Sequence, residues 1–124
     1  MSLVTHPAPD FCTDAVVGDS FASVALENYR GRWVVLFFYP LDFTFVCPTE
    51  IVAFSDQADQ FEALDASVLG CSTDSKFSHL AWTQQPRRSG GLGKLNYPLL
   101  ADFSKEIAAA YGVLLDGGMA LRGV

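Results

Sequence analysis

The stretch YPLDFTFVCPTEI, Tyr39 to Ile51, sets a cysteine, Cys47, directly before a proline where a strand-like run gives way to a helical one. A thiol there has two readings. Cysteine packs as a small hydrophobe and is among the most buried residue types. At a helix start, however, unpaired N–H groups and the positive end of the dipole favour thiolate over thiol. Two registers are open. With Thr44 as N-cap, Cys47 and Pro48 fall in the first turn; with Cys47 as cap, Pro48 takes the first helical position and Glu50 stands at capping-box spacing. Either brings the sulfur near unpaired donors. A free thiol ionises near pH ~8.5, and cysteines at helix N-termini or beside arginine commonly fall to about 3.5–7.5. A drop of about two units is worth about 2.7 kcal/mol of differential stabilisation. The Thr44 hydroxyl, one turn earlier, can donate to the sulfur or to an oxygen beside it. Pro40, Phe43 and Phe45 would wall such a site.

The other candidate residues are less suggestive. Cys71 lies within an apolar run and Cys12 follows an extended start, so both read as structural. Three cysteines without regular spacing are no disulfide framework, and a reducing, cytoplasmic setting fits them. Arg122 reads as a snorkelling strand residue or as a cation reaching the thiolate, and spacing favours the first. His6 and His79 are far apart, with no CxxC or HxxxH, and read as surface or structural rather than as metal ligands. A net charge of −6 argues against nucleic-acid binding, and Arg87-Arg88 reads as a solvated loop tip. No stretch approaches the roughly 20 apolar residues that span a bilayer. The start shows no secretory signal pattern.

These residues need a scaffold, and 124 residues, half of them hydrophobic, provide one domain spanning residues 1–124. Ala15 to Ser20 reads as a turn followed by a short strand, and Gly31 as a turn. Trp33 to Pro40 is a continuous β-branched and aromatic run, expected as a central strand buried on both faces and ended by Pro40. Ile51, Phe54, Ala58, Phe61 and Leu64 recur at helical spacing and form one apolar stripe. Ser67 to Cys71 reads as a second buried strand. Ser75 to Gln84 reads as a helix with Phe77, Leu80 and Ala81 on one side. A Gly-rich loop follows, then a third short strand made by Tyr97 and Pro98 with Leu99, Leu100 and Ala101. Ser104 is a cap candidate for a helix ending at Gly112, and the last residues begin another strand. The alternation of strands and helices predicts an α/β layered domain with a helix-covered sheet. A strand begun at the last residues suggests a piece of a longer product.

The segment FYPLDFTFVCPTEI resembles the active-site signature of the typical two-cysteine peroxiredoxins, a family that includes alkyl hydroperoxide reductase-like enzymes. The similarity continues through GRWVVLFFYP, VLGCSTDSKFSHLAW, GGLGKLNYPLLAD, IAAAYGVL and GMALRG. The resemblance implies a thioredoxin-like fold, short of its C-terminal strands, and a thiol-dependent peroxidase acting on hydrogen peroxide and alkyl hydroperoxides. Under it Cys47 matches the peroxidatic cysteine, Thr44 the threonine that hydrogen-bonds the peroxide, and Pro40 the shielding proline. Arg122 matches the arginine that holds thiolate and substrate, against the snorkelling reading. Glu50 matches the carboxylate that orients that arginine. Trp82 and the segment Lys76 to Leu80 match residues that pack the active-site loop and build contacts between dimers. The family needs no tightly bound cofactor or metal; it is reduced by a thioredoxin-type partner and forms homodimers, sometimes rings of dimers.

The resemblance also has gaps. This chain holds no match for the resolving cysteine, and no motif supports Cys12 as a substitute. The Gly90-Gly91-Leu92-Gly93 loop resembles one of two motifs tied to inactivation by peroxide; the second is absent from the sequence. Two alternatives stand beside the enzyme reading: a chaperone-like ring assembly, and a folded fragment without turnover.

Overall fold

The structure is a computed structural model describing residues 3–43 and 48–124, with Cys47 described through its backbone alone. Among the described residues five strands form one mixed sheet: β1 (Cys12–Val17), β2 (Ser20–Ala25), β3 (Trp33–Phe38), β4 (Ala66–Ser72) and β5 (Leu99–Ala101), in the order β2-β1-β5-β4-β3. β1 pairs antiparallel with β2 and β5; β3–β4 and β4–β5 are parallel. Four helices accompany them: α1 (Cys47–Asp56), α2 (Ala58–Ala63), α3 (Lys76–Gln84) and α4 (Glu106–Ala110).

Strand alternation divides the core in two. Phe37, Tyr39, Val68 and Leu99 face Ile51 of α1, Trp82 of α3, and Leu92, Leu95 and Tyr97. Phe38, Leu69, Cys71 and Leu100 face Ile107 and Ala108 of α4. The run Trp33 to Phe38 therefore does supply both faces of the sheet. It is nevertheless not central: β3 is the outermost strand of the described order, and Trp33 is 78% exposed. Beyond β3, Phe38 forms an antiparallel bridge with Gly123. Hydrophobic continuity reports covered faces and is blind to strand order.

Other elements depart from expectation for local reasons. The segment read as a turn before Ser20 is largely β1, which turns into β2 at Gly18, whose φ of +66° suits glycine. The apolar stripe is interrupted between α1 and α2, so its phase is lost and Leu64, just past α2, is 72% exposed. In α3, capped by the Ser75 side chain accepting from the Ser78 N–H, the buried residues are His79, Trp82 and Thr83. The expected face is turned outward, with Phe77 66% exposed. At α4 the buried Asp102 carboxylate, not Ser104, accepts from the N–H groups of Ile107 (3.1 Å) and Ala108 (2.7 Å).

Candidate active site

Helix α1 starts at Cys47, so that residue's backbone lies in the first turn and Pro48 follows at a position where a missing N–H costs little. Thr44, the expected cap and peroxide-binding threonine, lies outside the described residues, as do Phe45 and the side chain of Cys47. The helix is held from below. The Tyr97 hydroxyl donates to the Ile51 carbonyl at 2.6 Å, and Asn96 donates its N–H to the Ser55 hydroxyl and its amide NH2 to the Ser55 carbonyl. Burial pushes the Tyr97 phenol far up, keeping it a donor.

Glu50 lies three residues beyond Cys47, on the same face of α1 one turn along. Its carboxylate pairs with the Arg122 guanidinium at 2.8 Å. Arg122 follows a tight hairpin in which Leu114 bridges Ala120. On either side of it the Leu121 N–H donates to the Val113 carbonyl (2.7 Å) and Gly123 exchanges both backbone bonds with Phe38. The cation is therefore held between the end of β3 and the start of α1. The structure thus brings together Glu50 and Arg122 from positions 72 residues apart by number.

The segment linking β3 to α1 rests on a buried polar cluster that sequence reasoning missed. Tyr39 Oη donates to Asp42 Oδ1 at 2.7 Å, and Asp42 Oδ2 lies 2.7 Å from His79 Nδ1. The other ring nitrogen of His79 faces the Leu100 carbonyl at 2.7 Å. The His79 and Asp42 side chains are 0% and 1% exposed, so each has exchanged water for these partners. Burial and then the Asp42 charge raise the Tyr39 phenol well above its ordinary value, which fixes it as donor. The signal was faint: a histidine one turn from a tryptophan in a helix, with its partner 37 residues away.

Pro40 is half-buried, and Trp82 is fully buried beneath the same segment, with the Phe43 ring 5.7 Å from it. Trp82 Nε1 donates to the Gly90 carbonyl at 3.1 Å, and the Trp82 carbonyl accepts from the Leu92 N–H. Gly91 packs so closely on Gln85 that a Cβ would stand 2.2 Å from the Gln85 carbonyl oxygen. A groove of about 330 Å³ lined by Phe43, Pro48, Thr49, Gln85, Arg87, Ser89 and Gly90 borders the helix start. Arg87 is no free loop tip; it pairs with Asp56 at 3.1 Å and donates to the Leu92 carbonyl.

The remaining thiols differ in kind. Cys71 is fully buried, and burial followed by the Asp102 charge pushes its ionisation far up. Cys12 is exposed, 3.5 Å from the Ser23 hydroxyl. Among the described residues no group of His, Cys, Asp and Glu could hold a metal ion. No described helix is long and apolar enough to cross a membrane.

Comparison with known proteins identifies a family for the chain. The model of the AhpC/TSA family matches residues 4–124. Peroxiredoxin-2 of Rattus norvegicus is 60% identical over 122 residues, covering 98% of this chain and 62% of the relative. The mitochondrial thioredoxin-dependent peroxide reductase of Drosophila melanogaster is 60% identical over 121 residues, covering 97% of this chain and 52% of the relative. The reduced 2-Cys peroxiredoxin of Plasmodium vivax superposes with a TM-score of 0.94 at 46% identity, covering 98% of this chain and 76% of that one. The sheet and its helices form the thioredoxin-like fold of these neighbours. The chain spans about three fifths of the length of the curated relatives it matches.

Proposed function

Since the chain belongs to the AhpC/TSA family, the peroxiredoxins, we propose that it reduces hydrogen peroxide and alkyl hydroperoxides through the Cys47 thiolate. The observation that carries this reading is the Glu50–Arg122 pair, which holds a guanidinium one helical turn from the Cys47 position at the start of α1. The cation and the unpaired N–H groups of the helix start both favour a thiolate.

In this reading the sulfur attacks the terminal oxygen of the hydroperoxide. The S–O bond forms as the O–O bond breaks, and the leaving oxygen departs as water or an alcohol after taking up a proton. Cys47 is oxidised to sulfenic acid and the peroxide is reduced by two electrons. Arg122, the Thr44 hydroxyl and the first-turn N–H of Cys47 meet the charge that develops along the O–O axis. Glu50 orients Arg122, Pro40 limits access by water, and Trp82 supports the segment before the helix. A second thiol then condenses with the sulfenic acid, releasing water, and a thioredoxin-type dithiol reduces the disulfide. The name of the Drosophila relative supports that choice of reductant. Homodimers, and rings built from them, belong to the same reading, as does a cytoplasmic setting. The exposed Phe77, packed edge-on against Phe21 with Lys76 over both rings, offers such a contact.

The test is a thiol titration by ultraviolet absorbance together with stoichiometric peroxide consumption. One thiol should ionise well below the usual range and vanish in Cys47→Ser. Arg122→Ala should raise that ionisation and slow oxidation by more than about tenfold. An ordinary thiol at Cys47, with no rapid uptake of one peroxide equivalent, overturns the proposal.

A further inference from the structure

We propose that Asp74 is a positioning residue for the Cys47 thiol, acting through the backbone N–H of Asp42; the inference rests on the peroxidase reading above. Where β3 ends, its last tie to β4 is the Tyr39 N–H donating to the Cys71 carbonyl at 3.1 Å. The chain then leaves the sheet. Further along this segment the Asp42 N–H donates to Asp74 Oδ2 at 2.8 Å. Asp74 sits in the turn after β4, and its carboxylate is aimed by Ser72, whose fully buried hydroxyl donates to the same oxygen at 2.7 Å. The Asp74 N–H returns to the Ser72 hydroxyl oxygen at 3.2 Å. The acceptor is thus oriented before it meets the amide, and an ionised acceptor makes a stronger bond than a neutral one.

What this bond restrains is strain. Phe43, the next residue, has a φ of +60°, in the left-handed region that bulky side chains avoid. Such a conformation costs of order 1–3 kcal/mol and persists only where the surroundings hold it. Asp74 grips the peptide N–H one residue before Phe43, and the Phe43 ring rests 5.7 Å from Trp82. With the carboxylate gone, Phe43 can relax to negative φ, and the chain's approach to α1 loses this restraint. The Asp42 side chain stays bound to Tyr39 and His79, so the effect is one of aim rather than of unfolding.

The experiment compares Asp74→Ala with Asp74→Asn, which keeps an oxygen acceptor. Amide hydrogen exchange, the rate of Cys47 oxidation by stoichiometric hydrogen peroxide and the melting temperature are read on the same samples. In Asp74→Ala the Asp42 amide should exchange at least about tenfold faster. Cys47 oxidation should slow by at least about tenfold, a size typical of misplacing a reacting group by less than an ångström. Asp74→Asn should return oxidation to within about threefold of wild type and restore protection of that amide. A loss of stability alone would not be rescued in this paired way. Wild-type oxidation and exchange in Asp74→Ala, or an Asn variant as impaired as the Ala one, overturns the proposal. If Asp74→Ala does not fold, Asp74→Asn decides by keeping or losing both properties. A wild-type chain inert to peroxide overturns the peroxidase reading, while the exchange measurements still decide whether Asp74 holds the segment.

Discussion

Removing the His79 ring should cost this protein a large part of its stability. His79→Leu leaves the Asp42 carboxyl group buried beside Tyr39 with its imidazole partner gone, and strips the Leu100 carbonyl of its ring-nitrogen partner. Both side chains are essentially inaccessible to water, so no solvent screening softens the loss. Breaking a buried pair from one side typically costs about 3–5 kcal/mol. With an unfolding entropy of about 2.1 cal/mol/K per residue, a chain of 124 residues changes its melting temperature by about 4 °C per kcal/mol. The expected drop is therefore about 12–19 °C. The assay is thermal unfolding followed by far-ultraviolet circular dichroism at fixed protein concentration, since self-association would shift the midpoint. A double-mutant cycle with Asp42→Asn isolates the pair: neutralising the stranded carboxylate should recover stability, giving a coupling of at least about 1 kcal/mol. A single-variant loss below about 1 kcal/mol with coupling under about 0.5 kcal/mol would refute a stabilising Asp42–His79 contact.

Two more outcomes follow from packing and burial. Cys71, Tyr39 and Tyr97 all have ionisations raised by burial. The unfolded chain therefore releases these protons at lower pH than the folded one. Their contribution is fully present below the unfolded values and is lost as pH rises past about 8.5 for the thiol and about 10 for the phenols. Denaturation midpoints at pH 7, 9 and 10.5 should fall in that order, and Cys71→Ala should flatten the first step; a midpoint independent of pH would contradict it. Gly91→Ala forces a Cβ into the Gln85 backbone and should destabilise by about 1–3 kcal/mol, with a change in the fluorescence of Trp82, which holds the neighbouring Gly90 carbonyl. Unchanged melting and emission would show that the loop yields freely.

The layered α/β class was readable from period alone, because a strand run and a helical stripe have different repeats and this chain shows both. The Glu50–Arg122 pair was legible only through the family resemblance; spacing by itself favoured leaving Arg122 on a snorkelling strand. What periodicity cannot report is which neighbour a strand lies beside, hence the misplacement of Trp33 to Phe38 at the sheet's centre. Nor can it rank a histidine above a phenylalanine for burial. In α3 the hydropathy favoured Phe77, but the polar partners Asp42 and Leu100 draw His79 inward. Ser104 failed as a cap for a similar reason: a carboxylate two residues earlier reaches two N–H groups at once.

The bridge between Gly123 and Phe38 has a consequence in parity. Neighbouring residues of an extended segment emerge on opposite sides of a sheet. With Gly123 opposite Phe38, antiparallel counting sets Arg122 opposite Tyr39, whose ring belongs to the side where α1 lies. A slip by one residue would deliver the guanidinium to the α4 side, and a slip by two would keep the side but carry it about 7 Å along. Two backbone bonds at a glycine thus act as the index mark that tells a distant cation which way to face.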